Sequence, residues 1–160
     1  MPATPALSPL PHIAAETPDD ADAVERLVLD AFGPGRFAKT AERLREGASV
    51  AAGFVAREGG VAVGSVRLWT ITVGGKPALF LGPIAVAAER RRGGLGAELV
   101  QACLAWAEKR GPGVLLVGDA PYFGRFGFER APDVRLPGPV DPRRVLWRGP
   151  GPVSGDVRAA

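Results

Sequence analysis

The sequence predicts an α/β fold built on a mixed, mostly antiparallel sheet, and three observations carry that reading. From Val50 to Val86 the apolar residues fall into long extended stretches separated by glycine pairs, the mark of an antiparallel meander. Leu95, Leu99, Cys103 and Trp106 then recur at helical spacing. Val114–Val117 follows as a short apolar strand, so strand, helix and strand make a crossover unit in which the sheet is parallel.

Taken in order, residues 1–11 read as a frayed, proline-rich tail and His12–Ala15 as a first strand. Thr17-Pro18-Asp19-Asp20 is a helix start: a capping residue, Pro in the first turn, and carboxylates at the positive end of the dipole. Val24, Leu27, Val28 and Ala31 carry that helix to about Phe32, where Gly33-Pro34-Gly35 stops it. A second short helix is predicted over about Phe37–Glu46 and ends at Gly47. Val50–Arg57 and Val61–Val73 form a hairpin around Glu58-Gly59-Gly60. Gly74-Gly75 turns the chain into Lys76–Val86, whose near-continuous apolar run predicts one long strand covered on both faces. The helix after Gly96 reaches about Arg110 and breaks at Gly111-Pro112-Gly113. Pro121–Phe126 reads as one or two helical turns, Phe128-Glu129 as the start of a return strand, and Val145-Leu146-Trp147 as the last strand. The Pro/Gly-rich segment after Gly149 receives no element. With no internal repeat, the 160 residues read as one domain.

Composition narrows the function classes. Hydrophobic residues are 46% and charged residues 23%, which fits a globular chain rather than a disordered one. The net charge of +3 and pI of about 9.6 raise nucleic-acid binding as a possibility. Acidic residues are interspersed with the basic ones, however, and no basic block is interleaved with aromatics, so no nucleic acid is expected as partner. No apolar run approaches the ~20 residues of a membrane span, and the start lacks a signal peptide's charged and apolar regions. The expectation is a cytoplasmic protein with no membrane partner. A lone Cys103 allows no internal disulfide, no cluster supports a metal, and His12 stands far from any Ser or Cys system.

The chemistry concentrates between strand and helix, in Arg90-Arg91-Arg92-Gly93-Gly94-Leu95-Gly96. A helix N-terminus offers unpaired N–H groups and a partial positive charge, and glycines let an anion approach the backbone. A Walker A loop requires Gly-Lys-Ser/Thr, but Gly96 is followed by Ala97 and Glu98. A dinucleotide fingerprint requires a third glycine, where Leu99 stands. The pattern Arg/Gln-x-x-Gly-x-Gly/Ala is met in full by Arg91–Gly96.

This loop, entered from Leu81-Gly82-Pro83-Ile84-Ala85-Val86 and followed by a Gly-Phe segment, Pro121–Phe128, resembles the GNAT superfamily of acyl-CoA-dependent N-acyltransferases. The resemblance covers roughly Val50 to Phe128. It implies a splayed sheet of about six to seven strands with helices on both faces. It implies acetyl-CoA as co-substrate, with no metal. The pyrophosphate would rest on amides of Arg92, Gly93, Gly94, Leu95, Gly96 and Ala97, with Arg91 adding charge. The pantetheine arm would pair with the edge of Ile84, Ala85 and Val86 where that strand leaves Val114–Val117. An N–H near Ile84 would face the acyl oxygen. The acceptor would be a small-molecule or peptide amine, and a homodimer is left open.

Two residues are candidates for the proton chemistry. Many members of the superfamily use a Tyr five positions before the last Phe of the Gly-Phe segment; here that position is Phe123, and the only tyrosine, Tyr122, precedes it. Tyr122 either reaches the sulfur as proton donor or packs as an aromatic. Asp119 either receives the amine's proton through water or caps the turn at Pro121. The acceptor site is expected to be built from the Phe32–Ser49 region and the strand ends around Trp69, with Phe32, Arg36 and Phe37 as candidates there. A non-catalytic acyl-CoA-binding module is the alternative reading.

Overall fold

Two glycine pairs set the frame of the sheet. Gly59-Gly60 (φ +57° and +82°) and Gly74-Gly75 (φ +58° and +80°) are two-residue turns in the left-handed region, the geometry that matches the twist of a tight hairpin. They join β2 (Ser49–Glu58) to β3 (Val61–Val73), and β3 to β4 (Lys76–Leu81). The computed structural model describes residues 11–160, without the side chains of Phe37 and Ala38. Apart from Pro11, the predicted tail lies outside the described residues.

The remaining elements follow in chain order. They are β1 (His12–Ala15), α1 (Ala21–Phe32), α2 (Thr40–Glu46), β5 (Ala85–Val86), α3 (Leu95–Glu108), β6 (Val114–Val117) and α4 (Ala120–Gly124). After these come β7 (Glu129–Arg130), β8 (Val134–Arg135), β9 (Val145–Arg148) and β10 (Gly155–Ala159). Seven strands line up in the order β1-β2-β3-β4-β6-β9-β7, while β5, β8 and β10 pair beside that path. Every pairing along the path is antiparallel except β4 with β6, the pair joined by the α3 crossover. The mixed, mostly antiparallel sheet expected from the sequence is therefore present.

Helices cover both faces. On β2, Val55 packs with Val24, Leu27 and Val28 of α1, and its neighbour Ala56 packs with Leu95, Leu99 and Cys103 of α3. Successive strand residues point to opposite faces, so α1 and α3 lie on opposite sides. Gly64 lets α3 come close: a Cβ there would stand 3.1 Å from both Leu95 and Leu99. Cys103 is fully buried among these side chains, and burial pushes its thiol up to about 12. It is a core residue, as its place on the apolar face of α3 predicts.

Three details differ from the expectation. The helix predicted from Phe37 begins at Thr40; a 3-10 turn over Pro34–Ala38 precedes it, and Lys39 between them is extended (ψ 144°). The segment after Gly149 supplies β10, which pairs with Ile71–Val73 of β3 and buries Val157. The long strand predicted over Lys76–Val86 is broken, which shapes the site described below.

Leu99 has no exposed surface and sits where α3 meets the sheet. Leu99→Ala is expected to destabilise the fold by about 2–5 kcal/mol in denaturant unfolding. A loss below 1 kcal/mol (roughly, the cost of a tolerated swap) would show that α3 is not packed as described.

Candidate active site

The break in the third long strand comes from Gly82 and Pro83. Gly82 has φ +133°, a region that L side chains rarely adopt, and Pro83 has no N–H to give a ladder. The peptide between them is cis. On β3, Leu68 faces Leu81 while Ser65 faces Ala85. Three steps along β3 thus correspond to four steps along its partner, and the extra residue is a bulge. Ile84 falls inside it, where neither ladder reaches. The Trp69 indole N–H donates to the Gly82 carbonyl (2.6 Å) and fixes the bulge from the neighbouring strand.

The bulge also ends the pairing with β6. β4 meets β6 at Leu79–Val114 and Phe80–Leu115 and no further. Beyond that point β5 pairs with β3 alone, and Leu116 and Val117 pair with β9 on their other side. A cleft of about 550 Å³ opens between Leu81–Ile84 and Leu116–Asp119. This is the splaying that the resemblance implies.

From Val86 the chain enters the loop. Arg91 Nε donates to the Val86 carbonyl (3.1 Å), and Gly94 takes the left-handed conformation (φ +79°) that starts α3. Arg90 pairs instead with Glu58, away from the loop. A second cleft, of about 630 Å³, is lined by Ile84, Val86, Arg91, Arg92, Gly94, Gly96 and Ala97, with Tyr122 and Arg125 across from them. Gly93 is exposed beside it, and the Leu95 side chain is buried in the core. Ala85 is buried against α1. The structure therefore brings the loop and strand residues picked from the sequence to one place.

The two clefts meet at Phe32, Ile84 and Tyr122, which line both. Tyr122 stands over the first turn of α3: a Cβ on Gly96 would lie 3.8 Å from its hydroxyl oxygen. The Arg125 guanidinium covers its ring at 4.1 Å. Phe123 turns the other way. Its ring fills the space above Gly118, where a Cβ would fall 2.4 Å from Cε2, and it packs on Phe128 at 6.0 Å between centroids. Asp119 caps α4 by accepting from the Tyr122 N–H (3.1 Å), with its exposed carboxylate on the rim of the first cleft.

The wall of the first cleft opposite β6 comes from the segment between α1 and α2. Arg36 is buried and pairs with Glu25 at 2.9 Å. Glu42 accepts from Arg45 (3.2 Å) and lies 3.9 Å from Arg36. Burial pulls the Arg45 guanidinium below the usual arginine value, opposed by the charge of Glu42. Lys39 and Arg144 complete the charged lining. Of the acceptor candidates, Phe32 and Arg36 reach this cleft. Trp69 lines an adjoining hollow that shares Arg36, Glu42, Arg45 and Pro83 with it. Phe37 lies on the 3-10 turn, and its side chain is outside the described residues. Lys39, Glu42 and Arg45 fall within the expected Phe32–Ser49 region but are not singled out there by the sequence, and sequence reasoning missed Arg125 and Arg144.

Residues 21–128 match the model of the acetyltransferase (GNAT) family. The chain belongs to the GNAT family. Its fold is that of a GNAT family N-acetyltransferase (YhbS) from Escherichia coli, solved in complex with CoA, with a TM-score of 0.80, 28% identity, and coverage of 100% of this chain and 94% of that one. A GNAT family acetyltransferase from Brucella melitensis, solved with acetyl-CoA, gives a TM-score of 0.71 at 26% identity over 93% of this chain and 95% of that one. Naa50 of Arabidopsis thaliana, in complex with a bisubstrate analogue, shares the fold at a TM-score of 0.59 and 15% identity, over 86% of this chain and 97% of that one. No curated protein matches the sequence. Among the described residues no group of three or more His, Cys, Asp or Glu side chains is placed to hold a metal ion. No described helix is long and apolar enough to cross a membrane.

The loop conformation makes unequal demands on its glycines. Gly94→Ala forces a side chain into the left-handed region and is expected to cost about 1–2 kcal/mol. Gly93→Ala, whose Cβ would meet only the Arg90 carbonyl at 3.8 Å, is expected to stay within about 0.5 kcal/mol. Equal costs in denaturant unfolding would contradict the loop geometry.

Proposed function

We propose that this GNAT protein is an N-acetyltransferase that moves an acetyl group from acetyl-CoA to the primary amine of a small-molecule or peptide acceptor by direct attack. The observation that carries the reading is one continuous surface. The edge of β5 away from β3 leads into the glycine loop and second cleft at the start of α3, and at its other end into the first cleft past Tyr122. The residues fit the co-substrate. The amides from Arg92 to Ala97, with Arg91 beside them, suit a pyrophosphate. The edge of Ile84, Ala85 and Val86 that β6 does not pair, with Arg91 Nε on the Val86 carbonyl, suits an amide-bearing arm that pairs as a strand does. The Escherichia coli and Brucella melitensis proteins, solved with CoA and acetyl-CoA, support the choice of co-substrate.

Acetyl-CoA supplies a thioester: the amine nitrogen bonds to its carbonyl carbon, the carbon–sulfur bond breaks, and the electron pair leaves with sulfur. The chain's part is to hold the groups and move protons. Ile84, outside both ladders, offers its N–H to the carbonyl oxygen as negative charge builds there. Asp119 receives the amine's proton through water. Tyr122, at the junction of the two clefts, gives a proton to the departing thiolate. We place the reaction in the cytoplasm and assign it to the whole chain as one domain.

Phe123 favours a second reading. The superfamily's usual tyrosine is replaced by a ring that packs on Gly118, and a protein that binds acyl-CoA without turnover would keep the fold and lose the acid. Turnover separates the two.

Calorimetric titration with acetyl-CoA, CoA and ATP is the direct test. Micromolar binding of the two CoA forms and none of ATP is expected, with affinity abolished by Gly94→Glu. Absence of CoA binding at low salt would refute the site. In the active enzyme Tyr122→Phe is expected to lower kcat by about 10²-fold. An unchanged kcat with weaker acetyl-CoA binding would make Tyr122 a binding residue only.

A further inference from the structure

The acceptor end of the first cleft carries more cations than its own carboxylates match. Four cationic side chains line it, Arg36, Lys39, Arg45 and Arg144, against two carboxylates, Glu42 and Asp119, and Arg36 is matched by Glu25 outside the cleft. Both carboxylates are engaged: Glu42 accepts from Arg45, and Asp119 holds the start of α4. Lys39 and Arg144 form no ion pair within 4 Å among the described residues, although Arg144 feels the charge of Asp141, which is itself paired with Arg143. They come from segments about a hundred positions apart in the sequence, and both line the one cleft.

Arg45 sits deeper. It is largely buried, and its Nε has no hydrogen-bond partner among the described residues. Its Nη2 lies against Gly82, where a Cβ would come within 2.7 Å of it. An unsatisfied buried donor is costly, and unmatched cations facing a confined space favour an anion there. The phosphates of the co-substrate have their own basic lining in the other cleft, from Arg91, Arg92 and Arg125.

Building on the N-acetyltransferase reading, we propose that the acceptor carries a carboxylate beside its amine, which Arg144 and Lys39 bind at the acceptor end of this cleft, with Arg45 beneath. The reacting amine gains from the same field. Surplus positive charge disfavours an ammonium ion, so the acceptor's nitrogen is more readily held in the neutral form that attacks. The cleft volume of about 550 Å³ is within the range of small-molecule sites. Because that space also takes the acyl end of the donor, the acceptor is a small amino acid-like compound rather than a folded protein.

The test starts from the protein saturated with CoA and titrates α- and ω-amino acids, the corresponding amides, and phosphoethanolamine. An amino acid is expected to bind at least about tenfold more tightly than its amide, since a charge-assisted contact is lost. Arg144→Ala and Lys39→Ala are expected to remove most of that difference while leaving CoA affinity unchanged. With acetyl-CoA present, KM for the amino acid rises in these variants, and KM for its amide does not. Arg135→Ala, whose side chain pairs with Asp156 on the surface, serves as control. Equal affinity for acid and amide, or no binding of either to a protein that binds CoA, overturns this inference alone. Preference for phosphoethanolamine replaces the carboxylate by a phosphate and overturns it too. So does tighter binding of succinyl-CoA than acetyl-CoA that depends on Arg144, because the carboxylate then belongs to the donor. Failure of the first CoA titration instead sinks the underlying reading.

Discussion

The site depends on one interruption in backbone pairing. A parallel strand pair buried between helices ordinarily keeps its ladder to the end, because unpaired N–H and C=O groups are costly away from water. Here Gly82 and Pro83 insert a bulge that keeps β5 on β3 and removes it from β6. The polar backbone left at that edge is what a strand-like ligand needs, so in the proposed complex the defect in the sheet and the binding surface are the same feature. Trp69 and Arg45 hold it from two sides, the indole on the Gly82 carbonyl and the guanidinium against its Cα.

Two electrostatic regions meet at that edge. On the α3 side, backbone amides at a helix start, with Arg91 and Arg92, form the surface proposed to take the pyrophosphate, from main chain as much as side chain. On the α2 side, the charges are side chains in a network, where Glu42 balances Arg45 and Glu25 balances Arg36, with both guanidiniums and Glu42 largely buried. Removing one member of such a network leaves the others uncompensated. The residues at its outer margin, Lys39 and Arg144, are exposed and carry no such structural burden. Phe32, Ile84 and Tyr122 line both regions, and in the proposed reaction they mark where the reacting groups come together.

What the sequence revealed was local in origin. Glycine-pair turns, the α3 stripe and the Arg-Gly loop are each encoded within a few residues, and each lies where its pattern placed it. The break was partly legible: Pro83 inside an apolar run argues against an uninterrupted central strand, a signal that the reading of one strand from the apolar run over Lys76–Val86 did not use. β10 was hidden because its pairing rests on a tertiary approach. Gly155 packs so closely on Gly74 that a Cβ on either would collide with the other segment's backbone, and nothing local signals that contact. The acceptor cleft was least legible. Lys39, Arg45 and Arg144 look like ordinary surface charges until the sheet brings their segments together. Tyr122 and Phe123 were identified as the question, but their directions depend on how α4 sits over Gly96 and Gly118.

The central claim is that the bulge at Gly82–Ile84 creates the binding edge, and a crystal structure of the protein with acetyl-CoA tests it most directly. The account predicts the pantetheine arm hydrogen-bonded along Ile84–Val86 between β5 and β6, with the pyrophosphate over the amides of residues 92–97. A donor bound elsewhere, with the β5 edge left to solvent, would contradict it.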